Sequence, residues 1–166
     1  MNKFLEKINK ICEENKRVAI FIDMDGTINV YNVYPEEIVK QKMQEEYSET
    51  EPAQYIIDIL KDISKISNID LYILSLSKSV KITKEKKDWL KKYVPFINEE
   101  NWIIITKELN EYSSENRDIV KAQKIKDLEN KYDYFILLDD DHKILKEAQK
   151  IVGKNFSPFH ISSVLV

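Results

Sequence analysis

Four short and nearly continuous runs of apolar residues limit the folds that this chain can adopt. They are VAIFID (18–23), IDLYILS (69–75), WIIIT (102–106) and YDYFILLD (132–139). Strands that are covered on both faces have such runs, whereas a strand with one solvated face alternates apolar and polar residues. Helical stretches lie between the runs. This alternation predicts an α/β fold, a three-layer, Rossmann-like arrangement with one open parallel sheet.

The helical stretches are recognised by apolar spacing and by the residues at their ends. Their expected ranges are 52–66, 82–94, 116–132 and 142–153. A proline stands near the start of the first, the second stops before Pro95, and the last ends at Gly153. We also expect a short final strand over 161–166 and a loop over 110–116.

One segment, residues 28–51, does not fit the alternation of strands and helices. It separates the first strand from the next helix and contains one expected helix, 36–47. We interpret it as a very small cap inserted over the carboxyl edge of the sheet, which is where such sheets bind ligands. The length of 166 residues suits one ordinary domain, so we expect a single domain over 1–166 that includes this insertion.

Charge and cysteine content argue against some classes of function. The 26 basic and 29 acidic residues give a net charge of −3, which leaves no basic excess for a nucleic-acid scaffold. Cys12 is the single cysteine, which excludes an intrachain disulfide and fits a reducing cytoplasm. It stands on the amphipathic segment 4–16, where we expect a small buried hydrophobe. The sequence has neither the apolar core of a signal peptide nor a run long enough to cross a bilayer, so we expect a cytoplasmic protein without a membrane partner.

Polar groups suited to one site follow three of the apolar runs. DMDGT (23–27) ends the first, Ser75 ends the second with Ser77 just after it, and DDD (139–141) ends the fourth. A cluster of carboxylates at one edge of a sheet is costly unless cations neutralise it. Oxygen ligands without His or Cys favour a hard ion such as Mg²⁺. Mg²⁺ with carboxylates and a hydroxyl outlines a phosphoryl-transfer site.

These motifs together resemble the haloacid dehalogenase superfamily of phosphohydrolases. DMDGT, Ser75 after LYIL, a downstream lysine and LLDDD stand in the order of its four motifs and span nearly the whole chain. The chain is most similar to the 5′(3′)-deoxyribonucleotidase-like branch, through LYILS, KKDWLKKYVP, KAQKI and LLDDDHKIL. The resemblance implies Mg²⁺-dependent hydrolysis of a small phosphorylated substrate through an aspartyl-phosphate, with nucleoside 5′- or 3′-monophosphates favoured.

Other substrates and a different class of function stay open at this point. Sugar phosphates, polynucleotide ends and phosphoproteins are alternative substrates. Outside enzymes, the same fold could serve as a non-catalytic phosphate-binding or regulatory module. Asp25 discriminates between the two classes, because a phosphate-binding remnant has little need of an acid–base group there.

Chemistry and resemblance together give the acidic residues their expected roles. Asp23, at the strand tip, would attack phosphorus. Asp25 would protonate the leaving alcohol and then activate water, which requires Asp25 to start protonated while Asp23 is ionised. The resemblance implies that the metal is held by Asp23, by the backbone carbonyl of Asp25, and by Asp139 or Asp140. Gly26 would let the chain turn sharply, so that backbone N–H groups face the phosphate.

Hydroxyl groups and a lysine would complete the site. Ser75 would hydrogen-bond a phosphoryl oxygen. Thr27 and Ser77 are further candidates for substrate binding, and a helix N-cap is an equal alternative for Ser77. Lys121 opens KAQKI near the start of a helix and is our choice for the lysine that neutralises the transferring group. The alternatives to it are Lys124 and Lys107.

Structural roles are expected for several conspicuous residues near these motifs. We expect Trp89 and Trp102 to be packing residues. Asp141 is expected to cap a helix or to contact the metal ligands without binding the metal itself. His142 and His160 lack the spacing of metal ligands, so we expect structural or surface roles for both.

Two lysines and three tyrosines also receive non-catalytic interpretations. Lys86 and Lys87 lie on the expected helix 82–94 and are interpreted as surface charges, with an approach of one of them to the site as the alternative. The tyrosines of the insertion are interpreted as its small core, with stacking on a nucleobase as the alternative. They are Tyr31, Tyr34 and Tyr47.

Overall fold

The computed structural model describes residues 2–30, 47 and 50–165. In this part of the chain a parallel five-stranded sheet is flanked by helices. The helices are α1 (Lys3–Glu14), α2 (Gln54–Ile63), α3 (Val80–Tyr93), α4 (Val120–Lys126) and α5 (His142–Val152). The strands are β1 (Val18–Ile22), β2 (Ile69–Ser77), β3 (Trp102–Thr106), β4 (Tyr134–Asp139) and β5 (Phe156–His160). The predicted α/β, Rossmann-like architecture is therefore confirmed.

The order of the strands places β1 in the middle of the sheet. The order is β3-β2-β1-β4-β5, and every neighbouring pair is parallel. Ile22 of β1 pairs with Ile73 of β2 on one side and with Leu138 of β4 on the other. The chain first builds the sheet to one side of β1 and later to the other, and such a reversal opens a crevice beyond the carboxyl end of the strand. This topology brings the ends of β1, β2 and β4 together.

β1 is buried on both faces and separates two apolar cores. Val18, Ile20 and Ile22 belong to the core that also contains buried residues of α1, α2 and α3. Ala19 and Phe21 belong to the core that includes buried residues of α4 and α5. All five side chains are fully buried, as the nearly continuous run predicts. Each of the larger ones contributes roughly 1.5–3 kcal/mol by leaving water, so the strand end is firmly held.

The C-terminal strand differs from the prediction. β5 covers FSPFH, whereas Ile161–Leu165, where we expected a strand, forms a 3₁₀-helix. β5 is an edge strand, and an edge tolerates Pro158 because one side of the strand has no ladder to complete. The sequence pattern favoured ISSVLV because it is the more continuous apolar run.

The helix expected over 116–132 is also shorter, since α4 covers only Val120–Lys126. After α4 the backbone hydrogen bonds join residues that are three apart rather than four, as in a 3₁₀-helix. One of them runs from the Leu128 N–H to the Ile125 carbonyl (3.0 Å). The segment 110–116 contains no helix or strand, as expected for a loop. The other helices and β1 to β4 begin and end within a few residues of their predicted bounds.

The predicted insertion is described only at its ends and at one tyrosine. Most of its expected helix, 36–47, lies outside the described residues. The two ends run side by side, because Asn29 bridges Pro52 and the Val30 N–H donates to the Glu51 carbonyl over 2.8 Å. The insertion therefore leaves and rejoins the fold at one place, close to the turn that follows β1.

Two predictions made from the sequence, the burial of Cys12 and the lack of a membrane span, concern the helices. Cys12 of α1 is buried in the apolar core, as expected. Burial raises the pKa of its thiol to about 11, so the reactive thiolate is disfavoured. Within the described ranges, none of the helices combines the length and the apolar character that a membrane span requires.

Candidate active site

The candidate site lies beyond the carboxyl ends of β1, β2 and β4. Asp23 directly follows β1, and its N–H continues the ladder to β4 over 3.0 Å. Ser77 is the last residue of β2, and Asp139 is the last residue of β4. A cavity of about 890 Å³ opens at this edge, and its walls include Asp23, Asp25, Asp139 and Asp140. The acidic residues singled out in the sequence thus meet in one cavity.

Lys121 is buried between two of these carboxylates. Its side chain, on α4, is 2% exposed, and its Nζ lies 2.7 Å from Asp23 Oδ1 and 2.7 Å from Asp139 Oδ2. Burial alone would lower the pKa of this ammonium, but the two carboxylates raise it, so the charge is retained. Among the three lysines considered, Lys121 is the one placed in the site. Lys107 instead donates to a loop serine over 3.0 Å, and Lys124 does not line the cavity.

Three carboxylates form a group that fits a cation. One oxygen atom from each of Asp23, Asp139 and Asp140 lies within 4.8 Å of the others. Burial raises the pKa of Asp23 to about 7; Lys121 opposes this shift, and the charges of the other two carboxylates add to it. Burial also raises the pKa of Asp140. One ammonium does not balance three carboxylates, so a divalent cation with oxygen ligands would relieve their repulsion.

The carboxylate of Asp25 is held by a different set of groups. Its Oδ2 accepts a hydrogen bond from Lys86 Nζ over 3.0 Å. Its Oδ1 accepts hydrogen bonds from Asn29 Nδ2 (3.0 Å) and from the Tyr47 hydroxyl (2.5 Å). Burial alone would raise the pKa of Asp25, but these three donors, Lys86 above all, hold it below its ordinary value. These donors therefore favour the ionised form of Asp25, whereas its expected role in protonating the leaving alcohol needs a proton on it.

The prediction that Lys86 is a surface charge is wrong. Its side chain is 1% exposed and lines the cavity from α3. Besides its bond to the carboxylate, Nζ lies 2.8 Å from Ser75 Oγ and 2.7 Å from the Leu76 carbonyl. The sequence does contain a signal for its burial. Lys86 stands three and four residues before the buried Trp89 and Leu90, so it lies on the same face of the helix.

The two serines of β2 differ in what they offer to a ligand. Ser75 is 1% exposed, is not part of the cavity wall, and accepts a hydrogen bond from Lys86. Ser77 lines the cavity, and its hydroxyl donates to the Ser79 carbonyl over 3.0 Å. Ser79, rather than Ser77, caps α3. Of these two hydroxyls, that of Ser77 lies on the cavity wall, while that of Ser75 is engaged with the lysine.

Gly26 and Thr27 shape the turn that follows β1. Gly26 has a φ of 77°, in the left-handed region that glycine adopts without steric cost, so its place in this turn is explained. Its N–H donates to Asn29 Oδ1 over 2.9 Å, so this N–H is engaged within the turn. Thr27 Oγ1 donates to Asp23 Oδ2 over 3.1 Å and so holds the second oxygen of that carboxylate.

Another part of the cavity wall comes from the segment before α4. Tyr112, half-buried, and Arg117 line the cavity there. The guanidinium of Arg117 pairs with Asp118 (2.9 Å) and with Asp141 (3.2 Å). Asp141 also caps α5 by accepting hydrogen bonds from two of its backbone N–H groups, as predicted.

The expected packing roles of the large aromatic residues are confirmed where the structure describes them. Trp89 is buried, and Trp102 packs against the same core. Tyr47 is buried in that core too, although its hydroxyl also reaches a carboxylate of the site. The two tyrosines that lie outside the described residues are Tyr31 and Tyr34.

The two histidines stack on each other at the rim of the site. The ring centroids of His142 and His160 lie 4.2 Å apart with parallel planes. His160 Nε2 lies 3.1 Å from the Asp140 carbonyl. The stacking is in line with the structural or surface roles that we expected, although His142 also lines the cavity.

No family model matches the sequence, and a search of curated proteins finds no match. A function is therefore inferred from the geometry of the site and from the order of the motifs.

Proposed function

We propose that the protein is a Mg²⁺-dependent phosphomonoester hydrolase of the haloacid dehalogenase superfamily, acting through an aspartyl-phosphate on Asp23. The position of Lys121, between Asp23 and Asp139 at the carboxyl edge of a parallel sheet, carries this proposal. The order of the motifs supports it, since DMDGT, KAQKI and LLDDD each supply one of these residues. In this proposal the segment 28–51 is a very small cap.

The donor set of the site fits Mg²⁺. Asp23, Asp139 and Asp140 would each offer one carboxylate oxygen, and the resemblance adds the backbone carbonyl of Asp25. When bound, the ion supplies positive charge to the phosphoryl oxygens and to the crowded carboxylates. Lys121 supplies a second, permanent positive charge to the same carboxylates.

Asp23 and Asp25 would divide the reaction into two displacements. In the first, an Asp23 oxygen bonds to phosphorus while the bond from phosphorus to the leaving alcohol breaks, and Asp25 gives that alcohol a proton. In the second, Asp25 takes a proton from water, the water oxygen bonds to phosphorus, and the bond to Asp23 breaks. The ionised carboxylate that Lys86 favours on Asp25 suits the second displacement directly, whereas the first needs a proton on it.

Nucleoside 5′- or 3′-monophosphates are the substrates that we propose, in line with the resemblance. The cavity volume of about 890 Å³ falls in the range of roughly 300–1,000 Å³ that small-molecule sites occupy. Tyr112, Ile82 and Leu76 add apolar surface to a wall that also carries many charged side chains. The balanced charge and the buried Cys12 support action in the cytoplasm, on a small molecule rather than on nucleic acid or a membrane.

A panel of phosphate esters with Mg²⁺, scored by released phosphate, tests the proposal. We expect release from at least one ester, and only background release by Asp23→Asn protein or when EDTA replaces Mg²⁺. The panel includes nucleoside monophosphates, ribose 5-phosphate, a phosphorylated oligonucleotide and a phosphopeptide, which separates the alternative substrates. Tungstate binding without turnover of any ester would refute the hydrolase and favour a non-catalytic phosphate-binding module.

A further inference from the structure

Lys86 is a buried lysine whose ammonium has each of its hydrogens engaged. A lysine carries three N–H donors. The acceptors of Lys86 are Asp25 Oδ2 (3.0 Å), Ser75 Oγ (2.8 Å) and the Leu76 carbonyl (2.7 Å). A buried charge is costly unless it is paired and hydrogen-bonded, and here one carboxylate and two dipoles compensate it.

Two of these acceptors tie the ammonium to the sheet. Ser75 and Leu76 are consecutive residues of β2, where they pair with Ile104 and Ile105 of β3. The stem of Lys86 belongs to α3, whose inward face packs in the core. Its third acceptor, Asp25, belongs to a turn outside any helix or strand. Lys86 therefore connects a turn residue to the rigid part of the fold.

The other oxygen of Asp25 is held just as firmly. Asn29, four residues further along the turn, and Tyr47 both donate to Oδ1. The Tyr47 ring also contacts the ammonium, with Lys86 Nζ 5.5 Å from its centroid. Donors from separate segments thus hold both oxygens of one carboxylate. One donor would be enough to neutralise the charge of the carboxylate, whereas fixing its orientation requires donors at both of its oxygens.

We propose that Lys86 is a positioning residue for Asp25 and acts on the displacement in which water attacks the phosphoenzyme. This inference rests on the proposed function, because it assumes the aspartyl-phosphate on Asp23. In that displacement the water oxygen bonds to phosphorus, the bond to Asp23 breaks, and the water proton passes to an oxygen of Asp25. Without Lys86 the Oδ2 atom is released and the carboxylate rotates away from the direction that this proton transfer needs.

The first displacement provides the contrast that a test needs. A nitrophenolate leaving group departs without a proton, so attack by Asp23 on nitrophenyl phosphate does not depend on the orientation of Asp25. A residue that acts through Asp25 should therefore affect the second displacement alone when this substrate is used. A residue that contacts the phosphoryl group should affect both.

The variant Lys86→Met removes the charge and keeps the length of the side chain. Lys87→Met, the exposed neighbour on the same helix, is the matched control. Rapid mixing with nitrophenyl phosphate and Mg²⁺ resolves a burst of nitrophenolate from the steady rate that follows. For Lys86→Met we expect the burst rate of the wild type. The steady rate should fall about 10²-fold, which is the size of an acid–base contribution. The phosphoenzyme should then accumulate and be detectable by intact mass. Lys87→Met should match the wild type.

A double variant shows whether Lys86 acts through Asp25. In an Asp25→Asn background, Lys86→Met should change the steady rate by less than about threefold, because residues that act as one unit are not additive. Multiplied losses, or loss of the burst itself, would mean a direct contact with the phosphoryl group and would overturn the proposal. Tyr47→Phe removes the hydroxyl that donates to Asp25 Oδ1, so it should give the same result, a normal burst rate with a lowered steady rate. It replaces Lys86→Met in the test if that variant does not fold. An unchanged steady rate in Tyr47→Phe would then overturn it.

The outcomes also separate this inference from the proposed function. A wild-type protein that releases no nitrophenolate and no phosphate from any ester refutes both. An active wild type, together with a Lys86→Met protein that behaves like Lys87→Met, refutes the role of Lys86 alone.

Discussion

Replacing Lys121 by Met removes the ammonium that lies between two buried carboxylates. Its Nζ is 2.7 Å from an oxygen of each, and Asp23 and Asp139 are 6% and 1% exposed. Breaking a buried ion pair by removing one partner costs about 3–5 kcal/mol. We expect the lower end, about 3 kcal/mol of unfolding free energy at pH 7, because burial already raises the pKa of Asp23 to about 7 and a bound proton relieves part of the repulsion.

The loss should depend on pH in a defined direction. Without the ammonium, the pKa of Asp23, which burial already raises, rises further above the value of about 3.9 that it has in the unfolded chain. A carboxyl group with a raised pKa destabilises the folded state above that pKa and costs nothing once the pH falls to the unfolded value. The penalty of Lys121→Met should therefore be small at pH 5 and should grow as the pH rises through 7 toward the further raised pKa of Asp23.

Thermal unfolding in EDTA measures this effect. For a chain of this length 1 kcal/mol shifts Tm by about 2–4 °C, so 3 kcal/mol predicts a loss of about 6–12 °C at pH 7. Lys124→Met, a half-buried position of the same helix outside the cavity, should shift Tm by less than about 2 °C. Mg²⁺ should restore part of the loss, since it brings positive charge to the same carboxylates. Equal melting temperatures for the two variants at pH 7 would refute the reasoning.

Three further predictions concern turnover, pH and specificity. Asp23→Asn should reduce phosphate release to background, and near-normal release by protein whose mass excludes deamidation would rule out the covalent scheme. Metal-free wild-type protein should become more stable as the pH falls from 7 to 5, since the folded state binds an extra proton at Asp23 in that range. Urea unfolding at both pH values measures this gain in stability, and Asp23→Asn should reduce it. A nucleoside monophosphate should be hydrolysed with a kcat/KM at least about tenfold above that of ribose 5-phosphate, because stacking of the base is worth about 1–3 kcal/mol. Equal values for the two esters would contradict the nucleotidase assignment.

The sequence alone was sufficient to predict the sheet and the edge that bears the candidate site. Side-chain periodicity is a local property, so VAIFID could be assigned to a strand covered on both faces without knowing its neighbours. Because Asp23 follows that strand directly, its place at the carboxyl edge follows from the parallel sheet. KAQKI pointed to Lys121 in the same way, through its order among the motifs. β5 was missed because its pattern, interrupted by Pro158, is weaker than that of ISSVLV.

Only the tertiary structure placed Lys86, Tyr47 and Asn29 around the carboxylate of Asp25. A lysine among many lysines looks exposed in a sequence, because burying its charge is unfavourable unless acceptors surround it. For Lys86 those acceptors lie on the turn after β1 and on β2, and they come within reach of its ammonium only when the helix packs on the sheet. The same packing engages Ser75 with Lys86 and leaves Ser77 on the cavity wall. Local patterns determine which elements form, whereas contacts between distant elements determine which side chains share a site.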